Sequence, residues 1–147
     1  MGGRAAPPGR VTPSGSPREV SLIIDTTAVL AYAAGSMHVH EPLILAAEAE
    51  TDVVVPLPCL IEAVRRDPGA DIYGLTHNRL IQVMQPAWDD VELVRDWTLY
   101  YDGREDLAAA AVISYQHEYC PVLTAEPDAY VVAGKRPRWV IPIDGAW

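Results

Sequence analysis

The sequence predicts an α/β fold, a three-layer α/β/α sandwich around a central parallel five-stranded sheet. Three observations predict it. Short apolar runs near Val20 to Ile24, Val53 to Val55, Leu80 to Met84, Pro121 to Thr124 and Trp139 to Ile143 read as strands. Helical patterns separate each run from the next, and no hairpin signal joins any two of them. The run Val53-Val54-Val55 is apolar throughout, as a parallel strand covered on both faces requires.

The elements follow in order. Residues 1 to about 18 are rich in Gly, Pro, Ser and Arg, with almost no large apolar groups to offset the entropy of ordering, so a disordered tail is expected ahead of one domain over 19–147. The first strand leads into a helix from about Thr26 to Ala34 that stops at Gly35, a residue suited to a left-handed helix end. Ser36 to His40 reads as a loop and Glu41 to Glu50 as a second helix. After the second strand, Pro58 opens a helix through Arg66, which ends before Asp67-Pro68-Gly69. A short helix over Asp71 to Thr76 precedes the third strand, which Pro86 closes. Trp88, Val91, Val94 and Leu99 mark one face of a helix from Trp88 to Tyr101, followed by the turn Asp102-Gly103-Arg104 and a helix from Asp106 to His117. A short helix over Asp128 to Ala133 separates the last two strands.

Half of the 147 residues are apolar, enough to build one core without disulfides or structural metals. Cys59 and Cys120 lie in apolar surroundings with no secretory or transmembrane pattern, so packed, reduced thiols in a cytoplasmic protein away from membranes are expected. Acids outnumber bases by 20 to 11, so bulk charge repels phosphate. Any role on nucleic acid then needs metal ions or a local basic patch.

The chemistry-bearing residues are four acids near strand carboxyl ends, where open α/β sheets bind ligands. Asp25 follows Leu22-Ile23-Ile24, Glu62 follows the second strand, Asp106 opens the alanine-rich helix, and Glu126 follows Val122-Leu123-Thr124. Carboxylates converging on one pocket suit a hard cation such as Mg²⁺ or Mn²⁺, which can activate water and neutralise charge developing on a phosphodiester. Each acid also has a simpler use. Asp25 can cap the next helix, Asp106 can favour a helix dipole, and Glu126 can sit unremarked in a turn. Glu62 lies among Leu60, Ile61, Ala63 and Val64, which leaves little polar face and calls for a partner or a metal.

Four segments together resemble the PIN-domain family, and within it the VapC-type toxins of bacterial toxin and antitoxin pairs. They are Ile24-Asp25-Thr26-Thr27-Ala28-Val29-Leu30, Val55-Pro56-Leu57-Pro58-Cys59-Leu60-Ile61-Glu62-Ala63, Asp106-Leu107-Ala108-Ala109-Ala110-Ala111 and Val122-Leu123-Thr124-Ala125-Glu126-Pro127-Asp128-Ala129-Tyr130. The resemblance covers most of the chain after the tail. It implies a PIN-like sheet and an acidic pocket binding Mg²⁺ or Mn²⁺, with Asp25, Glu62, Asp106 and Glu126 as catalytic and metal-binding residues. Thr27 would support Asp25 and Thr124 the fourth acid. It further implies endoribonuclease activity on single-stranded RNA, a cognate antitoxin and a homodimer. The chain departs from the family at Glu126, where aspartate is usual. The longer side chain then binds through water, or Asp128 takes its place.

Other features weigh less. His38-Val39-His40 lacks further ligands for a tetrahedral site and reads as solvated loop, and His117 with Cys120 is an incomplete pair of the same kind. Arg65, Arg66 and Arg104 flank the acids and could steer phosphates; Lys135, Arg136 and Arg138 form another basic group. Trp88, Trp97 and Trp139 fall on apolar patterns of core or dimer contact, and Trp147 ends the chain. The main alternative function is a catalytically weak PIN-like module that binds RNA or protein. An Asp-nucleophile phosphatase would need an acid where Thr27 stands, and a receiver domain an acid pair ahead of the first strand; neither has support.

Overall fold

Extended apolar runs pair side by side to form one sheet in the computed structural model, which describes residues 18–86 and 88–143. Its strands are β1 (Val20–Ile24), β2 (Asp52–Pro56), β3 (Ile81–Met84), β4 (Val122–Thr124) and β5 (Val140–Pro142). They lie in the order β3-β2-β1-β4-β5, and every pairing is parallel. The chain steps outward from β1 to β2 and β3, then crosses back to place β4 on the other side of β1. The order reverses between β1 and β4, and in such sheets the carboxyl ends of the strands at that reversal are the usual ligand position.

The helices are α1 (Thr26–Ala33), α2 (Met37–Glu48), α3 (Leu57–Arg66), α4 (Tyr73–Thr76), α5 (Val91–Tyr100) and α6 (Glu105–Gln116). Single 3₁₀ turns occupy Trp88–Asp90 and Pro127–Tyr130. Alternate strand residues point to opposite faces, so the sheet supplies two cores. On one face Leu22, Ile24, Val53, Val55 and Leu123 join Ala28 and Val29 of α1, Val39 and Leu43 of α2, and Leu75 of α4. On the other, Ile23, Val54, Val122 and Val140 join Leu107, Ala108, Ala111 and Ile113 of α6, with Tyr101 at the end of α5. Full burial of each Val, Leu or Ile contributes about 1.5–3 kcal/mol. Every residue of α6 from Asp106 to Ser114 is buried, and the short Ala108–Ala111 side chains let this helix sit close against the sheet and its neighbours.

Several expectations change in detail. The second helix begins at Met37 rather than Glu41, so His38 and His40 are helical and not in a loop. Val39, Leu43 and Ala46 fall on one buried face, and that burial outweighs the hydrogen bond that Pro42 cannot donate within the helix. His40 stacks on Tyr32, with ring centroids 4.4 Å apart. The helix expected from Trp88 begins as a 3₁₀ turn and is α-helical only from Val91. The short helix expected over Asp128 to Ala133 is only the 3₁₀ turn Pro127–Tyr130. Trp97 and Trp139 are partly buried against Tyr101 and Tyr130. The expected tail up to residue 17, the side chain of Trp88, and Trp147 lie outside what the structure describes. Among the described residues no helix is long and apolar enough to cross a membrane.

Candidate functional site

Asp25 leaves β1 in an extended conformation and caps α1, its Oδ1 accepting from the Ala28 N–H at 3.1 Å. The Thr27 hydroxyl donates to the same oxygen at 2.9 Å, and the Tyr130 hydroxyl donates to Oδ2 at 2.8 Å. The carboxyl is fully buried. Burial pushes its pKa up, and hydrogen bonds from Thr124, Ala28, Tyr130 and Thr27 pull it only part of the way back. Its neighbours are neutral donors rather than cations. Thr27 also accepts the Ala125 N–H at 2.8 Å and lies 3.2 Å from the Thr124 hydroxyl, whose oxygen accepts the Glu126 N–H at 3.0 Å. These bonds tie the end of β1 to the end of β4.

Asp106 stands in the first turn of α6 and is also buried. Thr26, the other hydroxyl after Asp25, donates to its Oδ2 at 2.6 Å. Arg104 donates through Nε to Oδ1 and through Nη2 to Oδ2, both at 3.0 Å. The same Nη2 donates to Glu126 Oε1 at 2.7 Å. One guanidinium therefore draws together an acid from α6 and an acid from the loop after β4. Burial alone would raise the Asp106 pKa, but the hydrogen bonds from Arg104 and Thr26 outweigh it and leave the group below the ordinary carboxylate value. The turn that presents Arg104 is sharp, with positive φ at Asp102 (56°) and Gly103 (83°), and glycine alone takes the second without strain.

Glu62 has a different setting. It lies on α3, where Arg65 reaches it through Nε at 2.9 Å and Nη2 at 2.5 Å, and Arg66 through Nε at 2.9 Å. Those hydrogen bonds hold its pKa down to about 2. Its neighbours Ile61 and Val64 are exposed while Cys59 and Ala63 are buried, and the partner that Glu62 calls for is the pair Arg65 and Arg66. A cleft of about 290 Å³, lined by Glu62, Arg65, Arg104 and Asp106 among others, joins the two regions. Asp25 lies behind it rather than among its lining residues. Asp128 is exposed, so Glu126 is the acid that shares Arg104 with Asp106. Lys135, Arg136 and Arg138 are all exposed at the surface.

No family model, curated protein or solved structure matches the chain.

The donor set decides which residues suit a divalent cation. Among the described residues, no three histidine, cysteine, aspartate or glutamate side chains are grouped to hold one ion. Two carboxylates do converge, since Asp106 Oδ2 and Glu126 Oε1 both lie within hydrogen-bond distance of one nitrogen. Mg²⁺ commonly binds through one or two carboxylates and keeps its remaining waters, so this pair fits it. Asp25 is fully buried, with neutral donors on both of its oxygens, and is not among the residues that line the cleft.

Sequence reasoning misses Tyr130, Thr26 and the bridging role of Arg104. Tyr130 is fully buried, and burial followed by the Asp25 charge pushes its hydroxyl pKa up. Its bond to Asp25 spans 105 residues, so no local pattern announces it. The adjacent hydroxyls of Thr26 and Thr27 are the available signal. Successive helical residues point about 100° apart, which sends one hydroxyl toward α6 and the other toward β4. Cys59 donates its S–H to the Asp106 carbonyl at 3.3 Å, and burial, with the charges of Asp25 and Asp106, pushes its thiol pKa well up, so it serves packing rather than nucleophilic chemistry.

Proposed function

We propose that this protein is a metal-dependent endoribonuclease that hydrolyses single-stranded RNA, the PIN-like toxin of a bacterial toxin and antitoxin pair. The observation that carries the reading is the convergence of Asp106 and Glu126, the latter in the loop after β4, on one cationic nitrogen. Asp106 and Glu126 would hold Mg²⁺ or Mn²⁺, which supplies a water of lowered pKa and neutralises charge on the phosphodiester. Asp25 acts from behind, fixing α1 and, with Thr27 and Thr124, the loop that carries Glu126. Thr26 fixes the Asp106 carboxylate. Arg65 and Arg66 set two positive charges against the single charge of Glu62 and give the cleft a basic edge, which an acidic protein needs to draw in phosphate.

The partners enter on the resemblance. Exposed Ile44 and Leu45 on α2, and Leu99 and Tyr100 on α5, support an antitoxin and a second copy of the chain as partners in the cytoplasm. A second reading, a PIN-like module that binds RNA or protein without cutting, is favoured by one observation. Arginines already occupy the carboxylates of Asp106, Glu126 and Glu62.

Purified full-length protein, free of any antitoxin, should cut single-stranded RNA only with Mg²⁺ or Mn²⁺. Asp106→Asn should lower the rate by a hundredfold or more, on the order of what a displaced site group costs. No metal-dependent cleavage across a broad set of RNAs would leave the binding module as the function.

A further inference from the structure

Arg104 occupies the position that a cation shared by Asp106 and Glu126 would take. Its Nη2 is 3.0 Å from Asp106 Oδ2 and 2.7 Å from Glu126 Oε1, while Nε holds Asp106 Oδ1 at 3.0 Å. A guanidinium and a divalent ion cannot share that space, because both are positive and both require the same oxygens. We propose that Arg104 is a built-in cation that keeps Asp106 and Glu126 paired and must leave them before a divalent ion binds, so that the chain carries its own gate on metal loading. The proposal rests on the reading of this site as metal-dependent.

Two features let the side chain move. It is about one-third exposed, at 31 %, although its partner Asp106 is buried. Its base follows Gly103, and it borders the 290 Å³ cleft that also contains Arg65 and Glu62, which gives it a polar space to enter. There it lies beside Arg65, where two guanidiniums can hold an RNA phosphate through paired N–H donors. The same residue thus holds two buried or half-buried acids together without metal, offsetting one of their two charges, and offers a phosphate contact with it. Charge balance explains why an arginine is tolerated among ligands. Asp106 would otherwise face Glu126 without a counter-charge, a costly arrangement.

The test is a pair of measurements on the full chain. In calorimetric titration with Mn²⁺, Arg104→Met should bind the ion about tenfold more tightly than the wild type, the order expected when charge-assisted bonds need not be broken first. In the wild type, the Arg104 Nε–H resonance should be sharp without metal, because Asp106 holds it, and should shift and broaden as Mg²⁺ is added. This second measurement stands even if Arg104→Met fails to fold. Mn²⁺ binding that is equal or weaker in the variant, or Mg²⁺ binding that leaves the Arg104 resonance unmoved, would overturn the gate and leave the metal site standing. No binding of either ion to either protein would overturn both.

Discussion

Asp25 and Glu62 carry the same charged group and both follow strands of the sheet, yet they are stabilised by opposite means. Asp25 lies fully buried among neutral donors, the hydroxyls of Thr124, Tyr130 and Thr27 and a backbone N–H. Glu62 lies near the surface, clasped by two guanidiniums from its own helix. Burial pushes Asp25 up, whereas the arginines pull Glu62 down to about 2. An acid after a strand can therefore be a keystone or an outpost, and only its partners tell which. A keystone organises residues far apart in sequence; an outpost answers to its own helix turn.

Removing each carboxylate in turn should separate the two most clearly. Asp25→Ala strands the Tyr130 hydroxyl, the Thr27 hydroxyl and the Ala28 N–H, and should cost about 3 kcal/mol or more of stability in urea denaturation. A comparable loss in Glu62→Ala would erase the distinction. A smaller effect is expected from Tyr130→Phe, which removes one donor and should cost about 1–3 kcal/mol. It should also raise the Asp25 pKa further, readable from the carboxyl carbon shift across a pH titration. An unchanged titration would show that Tyr130 does not stabilise the charged form.

The smallest effect should come from Glu62→Gln, and it concerns pH. Glu62 has a depressed pKa, so its contribution is present above the ordinary value of 4.5 and is lost as pH falls toward about 2. Asp25 has a raised pKa, so its contribution is fully present below the ordinary value of 3.8 and is lost as pH rises through the folded-state value. Stability measured against pH should therefore flatten on the acid side in Glu62→Gln. Solvent screening of these exposed side chains keeps the change small. If the acid-side slope persists in the variant, another carboxylate governs it.

Part of the site is legible in the amino-acid sequence, because it depends on neighbours in the chain. Asp25 as a helix cap needs only the residues that follow it, and it does cap α1. The turn Asp102-Gly103-Arg104 needs only its glycine, whose φ of 83° is indeed left-handed. The hydroxyls of Thr27 and Thr124 meet across β1 and β4, 97 residues apart, which no local pattern announces. The start of α2 is harder to read because Pro42 resembles a helix opener, while the buried Val39 face that extends the helix four residues earlier becomes apparent only when the core is assembled. Sequence spacing sets Arg104 near the acids, but it does not tell which of them the guanidinium will choose.

The layered fold follows from the chain alone, since five apolar runs separated by helical patterns can bury themselves well only as a parallel sheet covered on both faces. So does the presence of acids at the strand ends. What neutralises those acids is set only when the sheet assembles. Tyr130 meets Asp25 across 105 residues, and Arg104 chooses Glu126 across 22, because β4 returns beside β1 and brings those loops together. Electrostatic pairing depends on distance in space, and helical or strand periodicity carries no record of that distance between remote residues.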